Sequence, residues 1–119
     1  MPTDQLLLSN LLLLARAQPT PAGACLYHAG QASTSVFWLA HGRVELAAPT
    51  GVARIVSGPA LLGTELLAEP VCRHTARLLD VAADVRSISL VDLRARWQAD
   101  ATFRLHLLHL MSCQTGKGE

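Results

Sequence analysis

Apolar positions crowd the start of the chain. The run LLLSNLLLLARA over residues 6–17 is interrupted only by Ser9 and Asn10 before it reaches Arg16. Thr3 or Asp4 is placed to cap a helix, so the pattern predicts a helix over 3–17 with leucine on most of its circumference, buried on more than one side. QPTPAG ends it, because Pro19 and Pro21 cannot continue a helix. From Gly23 the period shortens. ACLYHAGQ reads as a short strand ending at Gly30–Gln31, and STS as a polar turn. VFWLAHGRVELAAP is strand-like, with a bend or bulge at Gly42. Thr50–Gly51 is a hairpin turn, and VARIVSG is the returning strand. GPALLG is expected to be a loop.

ELLAEPVCRHTARL, residues 65–78, breaks the monotony of Leu, Ala and Val with two glutamates, a proline and two arginines. A helix start at Glu65–Ala68 is cut by Pro70, and Thr75–Leu78 begins a strand. Glu65 and Arg73 therefore flank a tight helix-to-strand connection, which is either an anion site or a surface ion pair. TARLLDVAADVRSISL predicts two strands with a turn near Ala82–Asp84. Val91–Trp97 follows as a short helix with Arg94 and Arg96 outside. Asp100 caps a last helix, ATFRLHLLHLMSC, with Phe103, Leu107, Leu110 and Met111 on one face. QTGKGE reads as a frayed polar tail. Short strands with frequent turns between terminal helices predict a small barrel or jelly roll.

Composition narrows the function. The chain has 119 residues, enough for one domain, and half of them are hydrophobic. A domain of this size cannot hide all of its leucine, so an apolar association patch is expected. The leucine-rich helix raises the expectation of a homodimer or of a protein partner. The net charge of +1 and the absence of any basic stripe argue against nucleic-acid binding by this chain. The first apolar run is too short and interrupted for a membrane span and has no signal-peptide flanks. Three widely spaced cysteines (Cys25, Cys72, Cys113) suit reduced thiols rather than a disulfide framework, and cytoplasm is the default location.

The glycines and their spacing carry a resemblance. GACLYHAGQ (23–31), VFWLAHGRVEL (36–46), LLGTELL (61–67) with Arg73 downstream, DVRSISLVDLRARW (84–97) and a closing helix occur in this order. Together they resemble the cyclic-nucleotide-binding domain of the catabolite activator/FNR superfamily over roughly residues 3–113. The resemblance implies a mainly β fold with flanking helices: an eight-stranded jelly roll between an N-terminal helix and C-terminal helices. One domain over 1–119 is expected, with a helix at 3–17, the jelly roll at 23–90, helices at 91–113 and a tail at 114–119. It also implies a phosphate-binding cassette. Glu65 would accept a hydrogen bond from a ribose hydroxyl, and the Arg73 fork would pair phosphate oxygens. The amides of Leu66 and Leu67 at a helix N-terminus would supplement Arg73, with His74 or Thr75 as an added polar contact. The ligand would be cyclic AMP, cyclic GMP or a cyclic dinucleotide such as cyclic di-GMP.

The sequence departs from that pattern in three places. Thr64 stands between Gly63 and Glu65, or in place of a glycine, where a Cβ would obstruct close approach of a phosphate. His74 and Thr75 replace the small residues that usually follow the arginine, and the spacing from Glu65 to Arg73 is tight. The last helix is short and no helix-turn-helix follows, which reads as a stand-alone domain or a fragment.

Other candidate chemistry is thinner. Cys72 with His74 lacks two further metal ligands. His106 and His109, three apart on the last helix, read as surface or interface residues. His74 or His28 is a candidate haem ligand only by analogy with relatives, and three scattered cysteines do not hold an iron–sulfur cluster. Ser33, Ser35 and Ser112 have no base partner, so no catalytic constellation stands out and no cofactor is required. Phe37 and Trp38 face opposite ways on one strand, one toward the core and the other available to an interface. Two readings follow: a non-catalytic regulatory module that binds a cyclic nucleotide and signals through helix movement, or a degenerate domain that serves as a dimerisation or interaction scaffold.

Overall fold

Residues 13–118 are described by the computed structural model; the predicted N-terminal helix lies mostly outside them, including Leu11. Two four-stranded antiparallel sheets face one another. The first runs in the order β1 (Ala15–Ala17), β8 (Asp84–Ser89), β3 (Ser35–His41), β6 (Ala60–Leu62). The second runs β2 (Cys25–Tyr27), β7 (Thr75–Leu78), β4 (Arg43–Ala47), β5 (Ala53–Ser57). Only β4 and β5 are both consecutive and paired, so every other connection changes sheet. That is a jelly-roll arrangement, the fold the resemblance implies. A 3-10 turn at Thr64–Leu67 follows β6, and helices α1 (Leu90–Ala99) and α2 (Ala101–Gly118) follow β8.

Local chemistry explains the corners. Gly42 separates β3 from β4, and so one sheet from the other. Its φ of +116° is open to glycine, and a Cβ there would stand 2.7 Å from the Ala83 Cβ. The β4–β5 hairpin closes where expected, with the Gly51 N–H donating to the Ala48 carbonyl at 2.9 Å. The Ser89 hydroxyl accepts from the Asp92 N–H and caps α1. Asp100 both ends α1, its N–H donating to the Arg96 carbonyl, and starts α2, its carboxylate accepting from the Phe103 N–H at 3.0 Å. The core is continuous across both sheets and both helices. Val36, Leu39, Val44, Leu78, Ile88, Leu93, Phe103 and Leu107 are all fully buried within it.

Several expectations are corrected. Ala15–Ala17 is not helical: it pairs with β8, Arg16 opposite Ser87, and Gln18 extends the ladder to the Val85 carbonyl. Backbone pairing against an open sheet edge overrides the intrinsic helical preference of Ala-Arg-Ala. Ala60–Leu62 is a strand, not a loop, pairing with Phe37–Leu39 and buried throughout. A short apolar run with no alternation is what a strand covered on both faces looks like. Phe37 and Trp38 are both buried, so neither is an interface residue; Phe37 stacks on Tyr27 with centroids 6.1 Å apart. The last helix continues to Gly118, through most of the expected tail. Among the described residues, no helix is long and apolar enough to cross a membrane.

Candidate functional site

Below the helices the second sheet opens into a cavity of about 640 Å³. Its rim is the segment from β6 to β7. Gly63 adopts φ +86° and ψ +17°, the left-handed conformation that turns the chain out of β6 into the 3-10 turn. Leu66, 1% exposed, anchors that turn in the core and leaves its neighbours facing the opening. Of the eight residues singled out from the sequence, Gly63, Thr64, Glu65, Leu67, Arg73 and His74 line the cavity. Leu66 and Thr75 do not. The Leu66 N–H is engaged by the Gly63 carbonyl at 3.1 Å, and the Thr75 hydroxyl accepts from the Ala29 N–H at 3.0 Å. The expected helix start is thus a four-residue 3-10 turn, with the Leu66 amide already satisfied.

Two carboxylates organise the loop. Glu65 Oε2 accepts a hydrogen bond from the Arg73 backbone N–H at 3.1 Å, closing residues 65–73 into a ring. The Arg73 guanidinium does not reach Glu65; its Nη2 is ion-paired with Oε2 of Glu69, an oxygen shielded from solvent. The Glu65–Arg73 ion pair, one of the alternatives left open by the sequence, does not form between the side chains. Glu65 and Arg73 are joined through backbone, while the charge on Arg73 is met by a carboxylate the sequence reading passed over.

Further groups come from distant elements. Tyr27 of β2 lies 6% exposed beside Gly63. Burial raises its phenol pKa far above the ordinary value, helped by the Glu65 charge and then the Cys72 thiol, against smaller lowering by Arg54 and the Gly63 backbone. It is a neutral hydroxyl at any physiological pH. Burial, then Glu65, likewise pushes the Cys72 thiol up. Arg94 of α1 lines the same cavity and donates from Nη2 to the Leu66 carbonyl at 2.7 Å. Trp97 of α1 and Leu108 of α2 complete an apolar side, and Arg54 of β5 contributes a further guanidinium. Apart from His74, the charged lining is Arg54, Arg73 and Arg94 against Glu65 and Glu69, a balance of one positive charge. Such a cavity suits a small anion carrying an apolar body.

Tyr27, Arg54, Glu69, Arg94 and Trp97 are among the lining residues that sequence reasoning missed. Of these, Glu69 was visible in the sequence as the second glutamate of the 65–78 stretch. No group of three metal-ligating side chains occurs among the described residues.

No protein-family model matches the sequence, and neither does any curated protein. Solved structures do resemble it. A putative cyclic nucleotide-binding protein from Geobacter metallireducens superposes with a TM-score of 0.78 at 16% identity, covering 99% of this chain and 98% of that one. The sensor domain of the transcriptional regulator DNR from Pseudomonas aeruginosa gives 0.73 at 17% identity, covering 92% and 80%. The c-di-GMP responsive global regulator CLP of Xanthomonas campestris gives 0.81 at 14% identity; the match covers 96% of this chain but 58% of the regulator. At these identities the likeness is one of architecture: the chain has the jelly-roll fold of these cyclic-nucleotide-binding and sensor domains.

Proposed function

We propose that the chain is a non-catalytic regulatory module that takes a cyclic nucleotide into the cavity below the helices. The observation that carries this reading is the convergence of Glu65, Arg73 and His74 on one cavity with Trp97 and Leu108 from the two helices. Glu65 would accept from a ribose hydroxyl, Arg73 would pair the phosphate, and Trp97 and Leu108 would cover the base. The Arg94–Leu66 hydrogen bond ties the 3-10 turn to α1. A ligand that favours one placement of the turn thereby favours one placement of α1 and α2, and the output is a population shift read by a second copy or a partner at the helices. Cyclic AMP, cyclic GMP and cyclic di-GMP are the ligands to test. The experiment is ligand-dependent thermal stabilisation, expected in the parent and absent in Arg73→Ala.

One observation favours a second reading. The Arg73 guanidinium already has its counter-ion in Glu69, as in a domain that has stopped binding nucleotide and serves as a dimerisation scaffold. That reading expects a constitutive assembly, unchanged by any of the three nucleotides in size-exclusion chromatography with light scattering.

A further inference from the structure

Strand β5 carries a charge where its pattern calls for an apolar residue. In the β4–β5 ladder Val44 faces Val56 and Leu46 faces Arg54. Val44 and Leu46 are buried, and Leu46, Val56 and Arg54 all line the cavity, so Arg54 stands on the inner face of the sheet. Ile55, on the opposite face, is 59% exposed. The hydrophobic pattern is inverted at these two positions: the inward one carries a charge and the outward one an apolar side chain.

The other arginines of this sheet have carboxylate partners. Arg43 pairs with Asp80 and Arg77 with Glu45. Within the cavity Arg73 pairs with Glu69, and Arg94 is held by the Leu66 carbonyl. Arg54 alone of the cavity's three guanidiniums has neither hydrogen bond nor ion pair among the described residues. Arg54 is itself solvent-exposed, and it lines the cavity together with Leu46 and Val56.

We infer that Arg54 is an anion-binding residue of this cavity, contacting the anionic group of the bound ligand from the sheet side. The inference rests on the ligand-binding reading and deepens it. The lining carries one net positive charge, to which Arg54 of β5 contributes, and a ligand with one negative charge neutralises it. Monoanionic cyclic AMP and cyclic GMP match that balance better than dianionic cyclic di-GMP.

An inward-pointing charge on an edge strand also guards against edge-to-edge pairing, and β5 is an edge strand. The two roles separate experimentally. The full chain is titrated calorimetrically with cyclic AMP, cyclic GMP and cyclic di-GMP at low and moderate salt, beside Arg54→Gln and Arg54→Lys. Arg54→Gln is expected to weaken binding of whichever nucleotide the parent takes by about tenfold or more, and to flatten its salt dependence. Arg54→Lys is expected to recover most of the loss. If the glutamine variant does not fold, Arg54→Met, which keeps the stem beside Leu46, makes the same comparison. Binding by the uncharged variant equal to the parent's overturns the inference, and new self-association with unchanged affinity assigns Arg54 to edge protection instead. A parent that binds none of the three overturns the ligand reading and the inference with it, an outcome distinct from normal parental binding that Arg54→Gln leaves untouched.

Discussion

The guanidinium of Arg73 is ion-paired with the carboxylate of Glu69, four residues earlier and across Pro70, on the rim of the cavity. A ligand anion that uses Arg73 competes with a carboxylate already there. Glu69 is thus a built-in competitor, and removing its charge should favour the ligand. Glu69→Gln is expected to tighten nucleotide binding several-fold, measured by calorimetry, with little change in the unfolding midpoint because an exposed pair contributes little to stability. Weaker binding by this variant would mean that Glu69 supports the ligand.

Arg94 links the cavity rim to the helices through the Leu66 carbonyl. Arg94→Gln should cost roughly 1.5–3 kcal/mol in urea unfolding, the range for a hydrogen bond with one charged partner. It should also reduce the change in amide-exchange protection of α1 when ligand binds. Undiminished protection would route the coupling elsewhere, through Trp97 or Leu108.

Gly63 is needed for its backbone conformation and not for space. A Cβ built there meets nothing closer than 3.7 Å, in ordinary contact with Tyr27 and Val36, yet φ is +86°. Gly63→Ala is expected to destabilise by about 1 kcal/mol through left-handed strain. Nucleotide affinity should fall as well, because the turn that carries Glu65 relaxes. Unchanged stability and affinity would show that the turn tolerates another backbone path.

Asp80 gives a pH signature away from the cavity. Hydrogen bonds from the Arg43 guanidinium, the shortest 2.8 Å, hold its carboxyl below the usual aspartate range. A carboxyl whose pKa is lowered by folding stabilises the fold above its unfolded value, about 3.9. That contribution is lost as pH falls through the lower folded value. The unfolding midpoint of Asp80→Asn should therefore lie below the parent's at neutral pH and converge with it in strong acid. A difference that persists at pH 2 would point to lost packing rather than lost charge.

The architecture was legible where chemistry is local. Gly42, Thr50–Gly51 and Asp100 mark a corner, a turn and a cap that need particular residues, and the structure uses them as read. Glu65, Arg73 and Gly63 stood out because polar and glycine positions are rare in an apolar stretch. The misses are non-local. Ala15–Ala17 and Ala60–Leu62 become strands only because β8 and β3 offer open edges. Tyr27, Arg54 and Trp97 reach the cavity by folding from distant segments, and Arg54 was hidden inside a run read only as a returning strand. Glu69 was visible, but nothing in sequence spacing says which of two glutamates an arginine will choose across a proline.

The central claim is that this cavity binds a cyclic nucleotide through Arg73, and thermal-shift titration of the full chain with cyclic AMP, cyclic GMP and cyclic di-GMP beside Arg73→Ala tests it most directly. At about 100 times its dissociation constant a ligand stabilises the folded state by about 2.7 kcal/mol. For a domain of this size that raises the midpoint by several degrees. Such a rise is expected for the parent with at least one nucleotide and none for Arg73→Ala. Flat curves for all three nucleotides, or equal rises in parent and variant, would contradict that claim.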